Sequence, residues 1–519
     1  MIKMLPFCFI LAGLSAACAQ PASTDESHDL AIMGGRVIDP ESGLDAVLNV
    51  GIRDGRIVEI TSDMIHGDQM IDASGHVVAP GFIDLHAHGQ SVLAGRVQAL
   101  DGVTTALELE SGVYPVADFY NTAEAEGRPI NYGASVNWLR ARSAELTGYE
   151  PLSFRDSFSP DPDAPDWRYT PASPAQTRQV LERVETGLEE GGLGIGVLLG
   201  YVPGSGRMEY YSLHEVAAAH DVPTFTHARY LSNIEPDSSL EGFQEMVAVS
   251  AATGADMHIS HLNSISIRDI GEIRPMIEGA QANGVNISVE AYPYGAGSTA
   301  IGTALFEGET WQARLGDIEK SDFTLDGVPL SDAEFDRLQA EEPNTDIVVH
   351  FIDPDNNAED AAILAQSILF PGGAIASDGG GWSQHGDPVG DNVWPLPADA
   401  ESHPRSAGTF SRFLRIYVRE SQSLSLGDAL AKVSLIPAQI LEDAVPQMAL
   451  KGRLQEGADA DIVIFDFAMV SDRSTYAEPA RTSVGFEYVI VGGQVLVSGG
   501  ELDTAVLPGR PVRRIEQPD

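Results

Sequence analysis

Eight short apolar runs, each followed by a helical stretch, constrain this chain more than any other feature. They end near Leu85, Glu110, Val136, Leu199, His227, His261, Tyr292 and Ser377. Parallel strands need crossover connections long enough to hold a helix, so eight strand–helix units in succession predict a closed (β/α)8 barrel. In that architecture the chemistry sits at the C-terminal ends of the strands. The polar, acidic segment 302–346 is too long for a simple connection and reads as an inserted lid or subdomain. Residues 138–174, rich in Pro, Asp and Ser, read as a second long surface loop.

The two ends of the chain have another texture. Short β runs around Leu30, Val50 and Ile57 alternate with turns at Gly34-Gly35, Asp54-Gly55 and Gly67-Asp68, and similar runs return at 460–465 and 488–496. The expectation is an α/β protein. A (β/α)8 TIM barrel spans 80–440 with an insertion at about 302–346, and residues 26–79 and 441–519 build a small composite β-sandwich domain.

Residues 1–25 stand apart. A positive start at Lys3 and a run of apolar and small residues, too short to span a bilayer, read as an export signal. Leu14-Ser15-Ala16-Ala17-Cys18 resembles a lipobox, which would leave Cys18 lipidated in an outer-membrane lipoprotein. Ala17-Cys18-Ala19 also suits ordinary cleavage to a free periplasmic protein. The only cysteines are Cys8 and Cys18, so the exported body has no disulfide and no thiolate metal ligand. A net charge of -45, from 76 acidic and 31 basic residues, argues against nucleic acid or an anionic membrane surface as partner. It also means that an anionic substrate needs a local basic group.

Strand ends carry the chemistry. The apolar run 77–85 reads as one buried strand with Pro80-Gly81 an irregularity inside it. Strand side chains repeat every two residues, so His86 and His88 leave its end on one face, where two imidazoles can share a divalent ion. Two packed core histidines are the plain alternative. Other strand ends contribute Glu108, Glu110 and Ser111, then His227, then His258 and His261, then Ser377 and Asp378. One such histidine is ordinarily a hydrogen-bonded core residue. Four histidines and an aspartate converging on one rim point to a metal site.

These residues carry a resemblance. Pro80-Gly81-Phe82-Ile83-Asp84-Leu85-His86-Ala87-His88, Gly102-Val103-Thr104-Thr105, Thr226-His227-Ala228-Arg229, Ile259-Ser260-His261-Leu262, Ala291-Tyr292-Pro293-Tyr294 and Ser377-Asp378-Gly379 resemble the N-acyl-D-amino-acid deacylase (D-aminoacylase) group of the amidohydrolase superfamily. His403-Pro404-Arg405, Gly408-Thr409-Phe410 and Gly457-Ala458-Asp459-Ala460-Asp461-Ile462-Val463 extend the match over essentially the whole mature chain. The resemblance implies a zinc site of one or two ions per subunit. His227 and His261 would hold the tight metal, His86 and His88 would line a second, weaker position, and Asp378 would be the general acid/base. An amide demands such chemistry, because a metal polarises the carbonyl and acidifies water while a carboxylate carries the proton to the leaving nitrogen.

Two departures stand out. The group bridges its metals with a cysteine after strand two, where this chain has Ser111, a poor zinc ligand. The neighbouring Glu110 is the expected replacement, with Glu108 on the same strand face as runner-up, unless one of them caps a loop or pairs with Arg229. The group often has a lysine two positions beyond the strand-six histidine, and here that residue is Asn263, a candidate substrate contact in its place. Arg405 is then the expected carboxylate clamp and Tyr201 a second contact; Arg229 serves with them, orients the site, or forms an ordinary salt bridge. His350 reads as structural, His403 as a residue that could order the Arg405 loop, and His385 as a candidate substrate contact. No lysine lies from residue 4 to residue 319, which excludes the carbamylated-lysine metal bridge of dihydroorotase- and hydantoinase-type enzymes.

The expected reaction is hydrolysis of N-acyl-D-amino acids, N-acyl-D-glutamate among them, to a carboxylate and a free D-amino acid. Two readings compete with it. One is a dipeptidase or isopeptidase acting on small N-acylated peptides. The other is a barrel binding protein that has lost its chemistry, favoured by the missing cysteine and opposed by the retained His and Asp set. The expected partner is a small N-acyl amino acid or short peptide, with no nucleic acid and a membrane only through a lipid anchor at Cys18.

Overall fold

The computed structural model describes residues 27–156 and 166–514; the segment 1–25, expected to be an export signal, and Cys18 within it lie outside the described residues. Eight strands in chain order form one sheet: β1 (Phe82–Asp84), β2 (Val103–Val113), β3 (Asn131–Asn137), β4 (Ile195–Leu198), β5 (Thr224–His227), β6 (Met257–Ile259), β7 (Ile287–Ala291) and β8 (Ala374–Ile375). Each runs parallel to the next. After β8 the chain returns to β1, where the Asp378 N–H donates to the His86 carbonyl at 2.8 Å and the Gly89 N–H to the Gly379 carbonyl at 3.1 Å. Asp84 seals the joint. Its carboxylate accepts from the Ser377 N–H at 2.9 Å, the Ser377 hydroxyl at 2.5 Å and the His86 N–H at 3.1 Å. The result is the expected TIM barrel.

The connections are helical for local reasons. In the helix Pro174–Glu189, Ser173 and Gln176 form a capping box, Pro174 occupies the first turn, and Val180, Val184 and Leu188 line the buried stripe. Residues 138–147, expected in a loop, form another helix, Trp138–Thr147. Asn137 caps it by accepting the Arg140 N–H at 2.8 Å, Gly148 ends it in the left-handed conformation, and the buried Trp138 donates to Glu209 at 3.0 Å. The Pro, Asp and Ser content that suggested a loop is concentrated after residue 150, so an average over the whole segment hid the helix.

The run 77–85 also differs from expectation, because it is two strands in two sheets. Val77–Pro80 pairs antiparallel with Ile462–Phe465 in the flanking domain, and β1 begins at Phe82. Gly81 makes the transfer: its N–H donates to the Asp461 carbonyl at 2.8 Å, and a Cβ there would lie 2.2 Å from Thr104 Oγ1. Both halves are buried, so apolar patterning alone does not separate them.

The flanking domain is a nine-stranded sheet built from both ends of the chain. Its longest strand, His28–Asp39, is interrupted by a bulge between Ile32 and Gly35. Before the bulge it pairs with Gly67–Asp72 and beyond it with Val77–Pro80, so one strand turns a corner between two neighbours. Residues 296–350 carry a separate four-stranded sheet and the helix Asp332–Glu341 around Phe306, Phe323, Phe335, Leu338 and Val349. Among the described residues no helix is long and apolar enough to cross a membrane.

One buried carboxylate fixes the helix Arg405–Phe413 against the barrel. Asp101 accepts from the Phe410 N–H at 2.8 Å, the Ser411 N–H at 3.1 Å and the Ser483 hydroxyl at 2.7 Å. Burial pushes this carboxyl up to about 7, against the opposing hydrogen bonds from Ser411 and Ser483. Between about pH 4, where an exposed Asp ionises, and about pH 7 the folded protein therefore holds a proton that the unfolded chain has released. The stability that Asp101 contributes falls as pH rises through that window, by up to about 1.4 kcal/mol per pH unit. Asp101→Asn removes this dependence. In urea unfolding, the variant is expected to gain on the wild type between pH 5 and pH 8; a constant difference would refute the assignment.

Candidate active site

Five strand ends place six side chains together. They form two groups, His86–His88–Asp378 and Glu110–His227–His261, with the donor atoms of each group within 4.8 Å of one another. Glu110 lies between the groups. Its Oε2 is 3.1 Å from His86 Nε2 and 3.7 Å from His88 Nε2, while Oε1 is 2.7 Å from His261 Nε2. Asp378 Oδ1 is 3.4 Å from His86 Nε2 and 3.3 Å from His88 Nε2. His227 Nδ1 faces the Ala228 carbonyl at 2.9 Å, which keeps a proton on that nitrogen and leaves Nε2 with its lone pair. His261 and Asp378 have φ of 30° and 53°, a region in which side-chain-bearing residues are strained. Glu108 shares the strand face of Glu110 but turns to His88 Nδ1, 2.9 Å away.

The donor set suits a divalent cation. Imidazole nitrogens and carboxylate oxygens without a thiolate match zinc and its neighbours. Glu110 Oε1 and His261 Nδ1 are buried with no hydrogen-bond partner. The close approach of Glu110 to His261 thus lacks hydrogen-bond alignment, the pattern of donors aimed at a common centre. Electrostatics agree. Burial opposes ionisation of Glu110, yet His86 and His261 hold it well below the usual carboxylate range. Burial likewise opposes ionisation of Asp378, and Arg405 and His86 hold it low. Burial opposes protonation of His88, but Glu108 and Asp378 raise it to about 10; His86 is raised well above its ordinary value against the same penalty, by Glu110, Asp378 and Glu290. His227, by contrast, is pushed down to about 4 by burial. A divalent cation brings the same positive charge as the two protons on His86 and His88.

The site opens into a cleft at the mouth of the barrel. Arg405 and Tyr201 line it, beside His88, Glu110, His227, His261 and Asp378. Arg405 Nη1 is 2.8 Å from Asp378 Oδ2, and the guanidinium lies over the Tyr292 ring, 4.8 Å from its centroid. The Tyr201 hydroxyl is 3.1 Å from Thr299 Oγ1. Leu305, Phe306 and Val349 from the inserted subdomain, with Ser298 and Thr299, line it as well.

Two expected substrate contacts are placed elsewhere. Arg229 meets Glu245 at 2.8 and 3.0 Å and the Ser205 hydroxyl at 2.7 Å, and it does not line the cleft. Strand geometry ends at His227, and beyond it the Glu245 carboxylate takes the guanidinium, the salt bridge that the sequence had left open. Asn263 lines a smaller adjoining pocket. Its Oδ1 accepts the Tyr292 N–H at 3.2 Å and its Nδ2 donates to the Tyr294 carbonyl at 3.4 Å, so the amide shapes the exit of β7. His385 is exposed on a hairpin beside Asp399. His403 Nδ1 accepts the Arg405 N–H at 3.0 Å, and His350 packs against the Tyr476 ring.

Sequence reasoning missed Glu290, at the end of β7. Its Oε1 lies 2.5 Å from His86 Nδ1 and its Oε2 3.1 Å from His258 Nε2. Burial opposes ionisation, yet His86 and His258 bring this carboxyl down to about 2. The charge on Glu290 fixes the His86 proton on Nδ1 and directs Nε2 into the site. The available signal was an acidic residue between apolar Val289 and Ala291 in a strand-forming run. Glu290→Gln is expected to weaken divalent-cation binding by about 10–100-fold, measured by competition with a chromogenic chelator. An unchanged affinity would remove this role.

Comparison with known proteins agrees with the geometry. The model of the amidohydrolase family matches residues 69–146 and 245–497. The chain is 29% identical to N-acyl-D-glutamate deacylase of Alcaligenes xylosoxydans xylosoxydans, over 94% of this chain and 97% of that protein. It is 27% identical to D-aminoacylase of the same organism, over 91% and 95%. The crystal structure of N-acyl-D-glutamate deacylase from Bordetella bronchiseptica, complexed with zinc and a phosphonate inhibitor, superposes with a TM-score of 0.73 at 24% identity, covering 94% of this chain and 100% of that one. With motifs, barrel and family model in agreement, the chain belongs to the amidohydrolase family and is a hydrolase acting on amides.

Proposed function

We propose that the chain removes the acyl group from N-acyl-D-amino acids by zinc-dependent hydrolysis. The observation that carries this reading is Asp378, 3.3 Å from His88, 3.4 Å from His86 and 2.8 Å from Arg405 at the mouth of the barrel. The relatives named N-acyl-D-glutamate deacylase and D-aminoacylase support the substrate class, and the zinc in the Bordetella enzyme supports the metal. His86, His88, Glu110, His227 and His261 would hold one or two zinc ions, with Glu110 between the two groups. Bound zinc supplies Lewis acidity toward the amide carbonyl and lowers the pKa of water at the site.

The chain's own residues do the rest. Asp378 stays ionised beside Arg405 and can take a proton from water as the water oxygen adds to the carbonyl carbon. The same carboxyl then delivers that proton to the amide nitrogen as the C–N bond breaks, giving a carboxylate and a free amine. The Arg405 guanidinium clamps the substrate carboxylate through the donors it does not spend on Asp378. Burial raises the pKa of the Tyr201 hydroxyl, which keeps its proton as a second donor. We also infer from residues 1–25 that the protein is exported to the periplasm, with Cys18 lipidated or removed with the signal.

The test is amine release from matched N-acetyl-D- and N-acetyl-L-amino acids. Activity is expected on D-enantiomers, lost on chelation and restored by zinc. Asp378→Asn is expected to lower kcat by about 10²–10⁴-fold while the protein keeps its metal. Protein with stoichiometric metal that hydrolyses no D-enantiomer would overturn the reading.

A further inference from the structure

The two donor groups share Glu110, but what stands behind their imidazoles differs. His86 and His88 are each backed by a carboxylate: Glu290 Oε1 lies 2.5 Å from His86 Nδ1, and Glu108 Oε2 lies 2.9 Å from His88 Nδ1. Glu290 is held in turn from its far side, by His258 Nε2 at 3.1 Å, and the Ser288 hydroxyl lies 2.8 Å from His258 Nδ1. Behind His227 Nδ1 stands a neutral group, the Ala228 carbonyl at 2.9 Å. His261 Nδ1 is buried with no hydrogen-bond partner.

A carboxylate behind an imidazole locks the ring, points the lone pair of the other nitrogen at the ion and makes that nitrogen a stronger donor. A backbone carbonyl orients His227 without adding charge. The surrounding field widens the difference. Besides Glu110, the carboxylates of Glu108, Glu290 and Asp378 touch the His86–His88 pair, and the Arg405 guanidinium offsets one of them. Among the described residues Glu110 is the carboxylate grouped with His227 and His261. A divalent cation is drawn more strongly to the position with more uncompensated negative charge. Spacing also fits. His86 Nε2 is 3.1 Å from both His88 Nε2 and Glu110 Oε2, and the latter two are 3.7 Å apart. Ligands ~2.0–2.2 Å from a tetrahedral zinc stand roughly 3.3–3.6 Å from one another.

We propose that the first, tightly held divalent cation binds at His86, His88 and Glu110, and that Glu110, His227 and His261 take a second, weaker one. This reverses the order that the family resemblance implies, and it rests on the zinc-dependent reading above. Glu108 then is a positioning residue, which raises affinity through His88 rather than by touching the ion.

Full-length protein stripped by chelation and crystallised with one equivalent of zinc reads the order directly. The anomalous peak is expected between His86 and His88. A peak between His227 and His261, alone or with equal weight, would overturn the proposal. In solution, cobalt alone is the probe, followed by its visible absorption and by competition with a chromogenic chelator. Glu108→Gln is expected to weaken the first equivalent by about 10–100-fold and to shift its absorption bands. His227→Asn and His261→Asn are expected to leave that affinity and those bands unchanged; asparagine suits the φ of 30° at His261. Loss of the tight ion in these two variants, with its retention in Glu108→Gln, would refute the order and leave the zinc-dependent reading standing. Wild-type protein that binds neither zinc nor cobalt would overturn that reading itself.

Discussion

Four carboxylates, from Glu108, Glu110, Glu290 and Asp378, are gathered at one end of an otherwise apolar ring of strands. Such a cluster survives burial only if positive charge meets every member. Here imidazoles take that role for Glu108, Glu110 and Glu290, and imidazoles with Arg405 take it for Asp378. Everything functional in the molecule depends on that compensation. It fixes which nitrogen of His86 faces the site, it keeps Asp378 ionised, and it makes the centre suited to a divalent cation.

The scaffold serves this cluster by holding strand ends in register. The most delicate joint lies between the last strand and the first, where Asp84 holds Ser377 and the His86 backbone together. That joint places Asp378 beside His86 although 292 residues of chain separate their numbers, from 86 to 378. Gly81 lets the chain leave the flanking sheet and enter the barrel within a single residue, because no side chain fits beside Thr104 there. Asp101 fixes the helix that begins at Arg405, so the guanidinium is positioned by a buried contact far from the chemistry.

Barrel and insertion both line the cleft. Barrel strand ends supply the charged floor, whereas the insertion supplies much of the apolar lining, around its own core of Phe306, Phe323 and Phe335. This division lets a family keep one chemistry and change its substrate by altering a segment that carries no catalytic group.

How much could be read beforehand follows from the range of the forces involved. Strand number, strand order and the arrival of His86, His88, Glu110, His227, His261 and Asp378 at strand ends were legible, because apolar periodicity and alternation are local properties of the backbone. The helix Trp138–Thr147 and the division of residues 77–85 were not, since one was masked by its neighbours' composition and the other by burial on both sides. The missing bridge cysteine already favoured Glu110 over Glu108 in the sequence, whereas the role of Glu290 and the pairing of Arg229 with Glu245 belong to the tertiary structure alone. A charged side chain goes to the partner that desolvation makes obligatory, and that partner is supplied by whichever distant segment the fold brings within a few ångströms.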